Sequence, residues 1–381
     1  TPVKLPPKAF ILLFMSFILC RAYHKIMITI SLCMIVKNEE DVLARCLKSV
    51  SKAVDEIIIV DTGSTDSTKK IAGAFTDNVY DFEWCDDFSA ARNYSFSKAS
   101  CDYVMWLDAD DVLTPDNAEK LIELKHALSR DIDIVYMKYD VAFDSSDEPV
   151  FSYYRERLIR NCPQAKFSEP VHETIIPFGK TINSEITVQH RKLKSNPPKR
   201  NLKIFEKTLK ATKALSPRMR YYYARELKFN GNYKKAAVVL RSFLKSKEGW
   251  IENNVGACRD LAECYLHLGE TEKAKQSLIN SFIYAAPRAE ICCDLGMILL
   301  DEQKYSDAEF WFLTALNEKP ENNSLGFVVK DYYNFIPAIE LAVLYDKIGN
   351  KEKAVYYHKM SGKFKPNHPS YIANAKYFGV Y

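Results

Sequence analysis

The sequence predicts two structural halves, an α/β half built on a mostly parallel sheet and an all-α half built from repeated helix pairs. Three observations support this prediction. Short runs rich in Ile and Val alternate with amphipathic stretches between residues 27 and 190. A basic segment that contains two prolines, 191–200, comes next. Beyond residue 200 helical patterns follow one another, with a glycine and an alanine recurring at a fixed offset.

At 381 residues the chain is too long for a single ordinary core. The divisions that we predict are an apolar N-terminal segment, an α/β domain, a basic linker and a helical repeat domain, at 1–26, 27–190, 191–200 and 201–381. The N-terminal segment holds an apolar run, 10–20, that is too short to span a bilayer. Because Met27 stands just before the first strand pattern, we expect it to be the natural start, with 1–26 outside the native protein. A short membrane anchor is the alternative.

The charge is divided unequally between the two halves. Residues 27–190 hold 17 Lys and Arg against 29 Asp and Glu, whereas residues 191–381 hold 32 against 20. The excess of acidic residues in the first half indicates either carboxylates that gather around a cation or a solvated acidic surface. The basic half suits nucleic acid, anionic lipid or an acidic peptide, or it lies against the acidic half. Since no nucleic-acid motif is present, we expect no nucleic-acid partner.

Cysteine usage indicates the compartment. The ten cysteines form no C-x-x-C pair and no Cys/His spacing suited to zinc. This usage is typical of a reducing compartment, so we expect a cytoplasmic protein, with association at a membrane surface left open.

Expected strands and helices alternate along the first half. The strands are expected at 28–36, 56–60, 79–82 and 103–107, and the helices at 42–53, 65–75 and 90–97. Thr114 and Pro115 then open a further helix as its cap and first residue. A strand is expected at 134–139, and two later strands, 151–160 and 186–190, are expected to run antiparallel.

Polar clusters follow three of these strands, at 37–40, 61–64 and 108–110. Ligands of parallel α/β sheets bind at the carboxyl ends of the strands, so we expect these clusters to meet in one site. The pair Asp108 and Asp110 suits a hard cation that neutralises a diphosphate, and a solvated acidic turn is the alternative. An EF-hand loop is excluded because Leu113 stands where its glycine is needed. Asp111 is given no role.

Other nucleotide folds are excluded by absent motifs. The chain has neither G-x-G-x-x-G nor a P-loop, which argues against a dehydrogenase and an NTPase. Asp61 ends a buried strand before a glycine turn, where a carboxylate suits ribose hydroxyls or a base edge. Arg92 lies in the first turn of an expected helix, where a cation is unfavourable for the helix dipole. It therefore faces an anion or a base, or it is a surface arginine.

Three blocks, 31–39, 60–68 and 108–110, together resemble family 2 glycosyltransferases of the GT-A fold. The resemblance implies a Rossmann-like, mostly parallel sheet, inversion at the sugar carbon, a UDP-sugar donor, and Mg²⁺ or Mn²⁺. It also implies roles for particular residues. Nucleotide-sugar contacts are expected from Val36, Asn38, Glu39, Asp61, Arg92 and Asp108, and metal ligation from Asp110 with Asp108 shared.

The sequence Val171-His172-Glu173 is the remaining candidate for chemistry. A V-H-E at this point is similar to one in the subset of the family with C-terminal tetratricopeptide-like helices, which includes sublancin-type peptide S-glycosyltransferases. The resemblance implies that His172 is a further metal ligand and that Glu173 is the general base. A strand-end histidine without a catalytic role is the alternative.

The second half contains a repeat of glycine or glutamine followed five residues later by alanine. The pairs are Gly231 and Ala236, Gly269 and Ala274, Gln303 and Ala308, and Gly349 and Ala354, and Pro320 and Pro366 close two units. The pattern resembles tetratricopeptide repeats, with a generic helical bundle as the alternative.

These features predict a metal-dependent inverting glycosyltransferase. The repeats are expected to hold an acceptor peptide or protein. A lipid-linked or cell-envelope glycan is the second candidate acceptor. A repeat scaffold with a degenerate transferase domain is the candidate from another class.

Overall fold

The computed structural model describes residues 27–144, 147–194, 198–319 and 329–379. The predicted segment 1–26, part of the predicted linker at 195–197, and Pro320 lie outside the described residues. In the described part of the chain, no helix combines the length and the apolar character needed to cross a membrane.

An eight-stranded mixed sheet is the centre of the first half, which we call the sheet region (residues 27–190). In chain order its strands, β1 to β7 and β10, are Ile30–Val36, Glu56–Asp61, Val79–Asp81, Tyr103–Trp106, Asp111–Val112, Ile134–Phe143, Pro149–Arg160 and Thr181–His190. Two short strands, β8 (Phe167–Ser168) and β9 (Thr174–Ile175), pair separately as a small hairpin. Helices α1 to α4 are Leu43–Val50, Thr68–Gly73, Phe88–Phe96 and Pro115–Ala127.

The parallel part of the sheet confirms the predicted alternation of strands and helices. The spatial order is β3-β2-β1-β4-β7-β6-β10-β5, and β1 runs parallel to both β2 and β4. β1 lies between these two neighbours and is buried almost throughout, as its continuous apolar sequence requires. The carboxyl ends of β1, β2 and β4 therefore lie at one edge of the sheet, which we call the carboxyl edge.

The two later strands differ in direction. β7 is antiparallel to β4 and to β6, which confirms that prediction. The prediction for 186–190 is wrong in part, because β10 starts at Thr181 and runs parallel to β6. The chain between β7 and β10 crosses back to the starting end of β6, and so β10 takes the same direction. Only with β5 is β10 antiparallel, and this pairing sets His190 opposite Asp111.

Helices make up the described part of the second half, which we call the helical region (residues 198–319 and 329–379). Helices α5 to α14 are Arg200–Thr212, Pro217–Phe229, Tyr233–Ser246, Ile251–His267, Thr271–Asn280, Ala289–Asp301, Tyr305–Asn317, Phe335–Lys347, Lys351–Phe364 and Pro369–Phe378. Two 3₁₀ turns, Ser281–Ile283 and Lys330–Tyr333, join them.

The glycine and alanine offset has a structural cause. The glycines at 231, 269 and 349 have φ of +74°, +74° and +78°, the left-handed conformation that ends the first helix of each pair. Gln303 takes the same conformation at +59° without the freedom of glycine. The four alanines of the repeat have no exposed surface, because the two helices of a pair cross at them. The tetratricopeptide-like architecture is thereby confirmed.

The helical region packs on the carboxyl edge of the sheet region. Val171 belongs to the same apolar core as Phe205 of α5 and Leu227 of α6. Trp84 and Phe88, which follow β3, pack against that core. The two halves therefore share one core at the edge where the predicted site lies.

Candidate functional site

The loops after β1 and β2 are bonded to each other. The side-chain oxygen of Asn38 accepts the Thr65 N–H at 2.8 Å, and the Ser64 hydroxyl accepts the Asn38 N–H at 2.9 Å. The Glu39 N–H donates to the Thr68 hydroxyl at 2.7 Å. Asn38 thus fastens two strand ends together, a task separate from the nucleoside contact that we predicted for it.

Asp61 ends β2, and only one of its two carboxylate oxygens accepts hydrogen bonds from described residues. Its Oδ1 accepts the N–H groups of Gly63 and Ser64 at 2.9 and 2.8 Å. Its Oδ2 is buried, and no described residue donates a hydrogen bond to it. A buried carboxylate oxygen requires a donor, so this atom suits the hydroxyl or N–H group of a ligand. Val36, at the neighbouring strand end, accepts the Thr62 N–H through its carbonyl at 2.9 Å.

Arg92 joins two of the predicted site carboxylates. Its Nη2 donates to Asp108 Oδ1 and its Nε donates to Glu173 Oε1, both at 2.7 Å. The guanidinium lies 4.5 Å from the centre of the Trp106 ring. Burial would raise the pKa of Asp108, but Arg92 and Arg157 outweigh it and hold that pKa well below its usual range. Arg92 therefore faces two carboxylates of the protein itself, and its contact with a nucleotide-sugar stays a prediction.

Asp111, which was predicted to have no role in the site, is buried and anchors the turn after β4. Its side chain is 0% exposed and forms an ion pair with the equally buried Arg157 at 3.1 Å. It also accepts the Tyr139 hydroxyl at 2.8 Å and the Asp108 N–H at 3.0 Å. These bonds fix the turn that presents Asp108 and Asp110.

Asp110 and His190 come together through the pairing of β5 with β10. The Nδ1 atom of His190 lies 3.3 Å from Asp110 Oδ1 and 3.2 Å from Asp111 Oδ1. One potential ligand atom from each of the three residues lies within 4.8 Å of the other two. Burial lowers the pKa of His190, but its hydrogen bond to Asp111 and the nearby carboxylates outweigh this and raise it. This arrangement can hold a divalent cation.

Glu39 and Arg200 lie at the rim of the same cluster. Burial, and then the charge of Asp110, raises the pKa of Glu39 to about 7. The Arg200 guanidinium lies 4.9 Å from the Phe88 ring and forms no ion pair with any residue that the structure describes. Burial lowers the pKa of Arg200, whereas the surrounding carboxylates, Glu173 first among them, oppose this. Within the described parts of the chain, the rim thus offers a cation that has no carboxylate paired with it.

The structure brings His172 to the helical region. Its Nε2 lies 3.1 Å from Glu226 Oε1 of α6, and its ring stacks on Tyr222 with centres 4.5 Å apart. Among the described residues, the histidine that meets the carboxylates of the predicted metal site is His190. Glu173, the next residue after His172, does reach the site through Arg92.

Two sequence models of known families match separate parts of the chain. The model of glycosyl transferase family 2 matches residues 31–185. The first half is a family 2 glycosyl transferase domain. This transferase domain contains all three strand-end clusters and the V-H-E sequence. The model of the tetratricopeptide repeat matches residues 289–322, which include α10 and α11.

Three relatives share parts of the chain. A TPR repeat-containing protein of Synechococcus elongatus is 39% identical over 150 residues, 39% of this chain and 36% of the relative. The SPbeta prophage-derived glycosyltransferase SunS of Bacillus subtilis is 29% identical over 213 residues, 52% of this chain and 49% of the relative. The lipopolysaccharide core biosynthesis glycosyltransferase LpsC of Rhizobium meliloti is 27% identical over 154 residues, 39% of this chain and 57% of the relative. The chain thus spans between 36% and 57% of the length of these relatives.

Three side chains of the candidate site were not predicted from the sequence. His190 ends a predicted strand, yet nothing local indicates that it pairs with Asp111, which lies 79 residues earlier. Arg157 lies within a predicted strand and was not considered as a partner for the acidic turn. Arg200 was counted in the basic linker. One feature of the sequence does indicate His190: it stands at the end of a predicted strand, as the other candidate residues do.

Proposed function

We propose that this protein transfers a sugar from a nucleotide-sugar donor to an acceptor, with inversion at the sugar carbon. The observation on which the proposal rests is the position of Asp61, Asp108 and Asp110 at the same carboxyl edge of a domain that matches family 2. The buried Oδ2 of Asp61, which accepts no hydrogen bond from a described residue, supports a contact with the nucleoside. The family resemblance favours UDP as the nucleotide.

We propose Asp110 and His190 as protein ligands of a divalent cation, with His190 in place of His172. Together with the remaining oxygen of Asp108 they supply two carboxylates and an imidazole, a set that suits Mn²⁺, and Mg²⁺ is compatible through the oxygens. Because Asp111 is engaged by Arg157 and Tyr139, we assign the ligation to Asp110 rather than to Asp111. When bound, the cation screens the negative charge of the donor diphosphate. Asp108 Oδ1 is occupied by Arg92, so Asp108 contributes through its other oxygen.

Glu173 is our candidate for the general base. The acceptor oxygen or sulfur attacks the anomeric carbon as the bond from that carbon to the diphosphate oxygen breaks. The nucleoside diphosphate leaves, and the proton of the acceptor passes to Glu173. The hydrogen bond from Arg92 Nε to Oε1 fixes the orientation of this carboxylate. Oε2 is the oxygen that we assign to the proton.

Arg200 is our candidate for a cation that faces the leaving diphosphate. It has no ion pair among the described residues, it is partly buried, and it belongs to the first turn of α5. An arginine in this setting gains a charge-assisted hydrogen bond when a phosphate arrives. The charges of Glu173 and Asp108 act on its pKa, which supports a location on the side of the site that faces the reacting bond.

We propose that the helical region presents a peptide or protein acceptor to this edge. Stacked helix pairs form an extended surface that suits a polypeptide, and this region packs directly beside the V-H-E sequence. A cell-envelope glycan is the second candidate acceptor, and the name of the LpsC relative favours it. Both acceptors require the same donor chemistry.

The test is turnover of radiolabelled UDP-glucose, UDP-GlcNAc and UDP-galactose by the full chain, with Mn²⁺ or Mg²⁺ and with the metal chelated. We expect metal-dependent hydrolysis or transfer of at least one donor, and we expect Asp110→Asn to abolish it. UDP binding followed by calorimetry separates loss of donor binding from loss of chemistry. The proposal fails if no donor reacts and Asp110→Asn leaves UDP binding in the presence of Mn²⁺ unchanged.

A further inference from the structure

The loop that joins β8 to β9 has an unusual backbone. It runs from Glu169 to Glu173, and both Glu169 and His172 have positive φ, at +72° and +53°. This conformation is unfavourable for residues other than glycine. A loop with two such residues keeps its shape only where its surroundings impose it. The partners of this loop therefore decide where Glu173 points.

Helix α6 of the helical region supplies many of those partners. The imidazole of His172 donates from Nε2 to Glu226 Oε1 at 3.1 Å, since a carboxylate can only accept. The Arg218 Nη2 donates to the carbonyl of His172 at 2.9 Å, and its Nε lies 3.3 Å from Glu169 Oε2. Tyr222 stacks on the imidazole. Side chain and backbone of the loop are thus both held from α6.

Helix α3 of the transferase domain holds the opposite side of the loop. The Phe88 N–H donates to the Pro170 carbonyl at 2.8 Å, and the Ser89 hydroxyl donates to the Glu169 carbonyl. Between the two helices, Val171 is buried in the core shared with the helical region. The loop is therefore clamped between one helix from each half of the protein.

A short series of contacts leads from this clamp to the donor site. Glu226 holds His172, whose neighbour Glu173 bonds to Arg92 at 2.7 Å. Arg92 bonds in turn to Asp108 at 2.7 Å. The charged groups of this series are all partly or fully buried, so they interact more strongly than they would in water.

We propose that Glu226 is a positioning residue for the transferase site, acting through His172 to orient Glu173 and Arg92. The helical region thereby completes the catalytic loop, in addition to presenting an acceptor. This inference rests on the proposed function, because it assigns to Glu226 an effect on that reaction. Glu226 itself touches neither the donor nor the reacting atoms in this assignment. Its removal therefore affects the chemical step more than donor binding.

The test compares Glu226→Ala and Glu226→Gln with Glu206→Ala in the full chain. Glu206 lies on the adjacent helix α5 with its side chain 44% exposed and 3.7 Å from Lys235, so it is a matched control. We expect Glu226→Ala to lower kcat about 10- to 100-fold, as small displacements of a catalytic group do, with donor KM changed less than about threefold. Glu226→Gln should retain more activity, because its amide oxygen still accepts from His172. Glu206→Ala should match the wild type.

Hydrogen exchange of the backbone amides at 169–174 gives a second readout that does not require turnover. We expect faster exchange in Glu226→Ala than in Glu206→Ala, with exchange in β1 and β4 unchanged. Glu226→Ala and His172→Ala should also be non-additive in kcat, since each removes the same contact. Unchanged kcat and unchanged exchange in Glu226→Ala, or additive effects of the two substitutions, would overturn the inference. A wild-type protein that reacts with no donor would refute the proposed function, while the exchange comparison would still test the clamp.

Discussion

His190 and His172 give opposite expectations for metal binding, and a matched pair of substitutions decides between them. The sequence resemblance implied His172 as a ligand, whereas the geometry favours His190, with Nδ1 3.3 Å from Asp110 Oδ1. We predict that His190→Ala weakens Mn²⁺ binding and that His172→Ala does not. Asp110→Asn serves as the positive control.

The magnitude follows from the number of protein ligands. Loss of a residue that merely supports a ligand costs about 10- to 100-fold in metal affinity. The loss of a direct ligand from so small a set should therefore cost about 100-fold or more, or about 2.8 kcal/mol. His172→Ala should change the Kd by less than about threefold, or about 0.6 kcal/mol, because His172 Nε2 bonds to Glu226.

The fold should survive His190→Ala. Tyr139 remains bonded to Asp111 at 2.8 Å, and Asp111 remains paired with Arg157 at 3.1 Å. The buried carboxylate thus keeps its strongest partners, and circular dichroism should show the wild-type spectrum. If His190→Ala instead gives the circular dichroism spectrum of an unfolded control, its loss of Mn²⁺ binding reports unfolding and not the loss of a ligand.

The assay is the electron paramagnetic resonance signal of free Mn²⁺ during titration, with and without saturating UDP. Bound Mn²⁺ reduces this signal, so the Kd is obtained without any catalytic turnover. The assignment of His190 as a metal ligand is wrong if His172→Ala loses Mn²⁺ affinity as strongly as Asp110→Asn while His190→Ala binds like the wild type.

Three further predictions concern proton release on metal binding, a repeat turn and the donor diphosphate. Because Glu39 has a pKa of about 7 and that of His190 is raised, a cation at Asp110 should displace protons from both. The calorimetric enthalpy of Mn²⁺ binding should then vary with buffer ionisation enthalpy at pH 7 and vary less at pH 8.5. Gln303→Gly should stabilise the helical region by about 1 kcal/mol in thermal unfolding, since its φ of +59° suits glycine. Arg200→Gln should raise donor KM about tenfold at low salt if Arg200 contacts the diphosphate, whereas Lys207→Gln should not.

Local patterns predicted the elements of the fold well, because their causes are local. The continuous apolar sequences of β1 and β2 require burial on both faces, and a parallel sheet supplies it. The glycines of the repeat turns occupy a left-handed conformation that few other residues tolerate. In each case the residue type and its immediate neighbours contain the physical reason for the structure.

The partners of the histidines could not be predicted in this way. His172 has a recognisable neighbourhood, but its partner Glu226 lies 54 residues further along the chain, in the other half of the protein. His190 has no motif, and its place beside Asp110 depends on the direction and register of β10 against β5. Contacts between residues far apart in the sequence thus determine both the partner of His172 and the position of His190. The V-H-E sequence therefore pointed to a loop that contacts the candidate site through Glu173, whereas the partner of His172 depended on contacts that no motif contains.

The unequal charges of the two halves have an explanation within the molecule. Arg218 of the helical region is paired with Glu169, and Lys207 is paired with Asp86 at 2.6 Å. Lys194, beyond the last strand, is paired with Asp41 at 2.5 Å. Cations of the basic half thus face carboxylates of the acidic half across their contact, as one of the readings of the sequence expected. Exposed pairs of this kind add little stability, but their complementary signs favour this one arrangement of the halves over others. Part of the charge asymmetry is thereby neutralised within the molecule, at the contact between its halves.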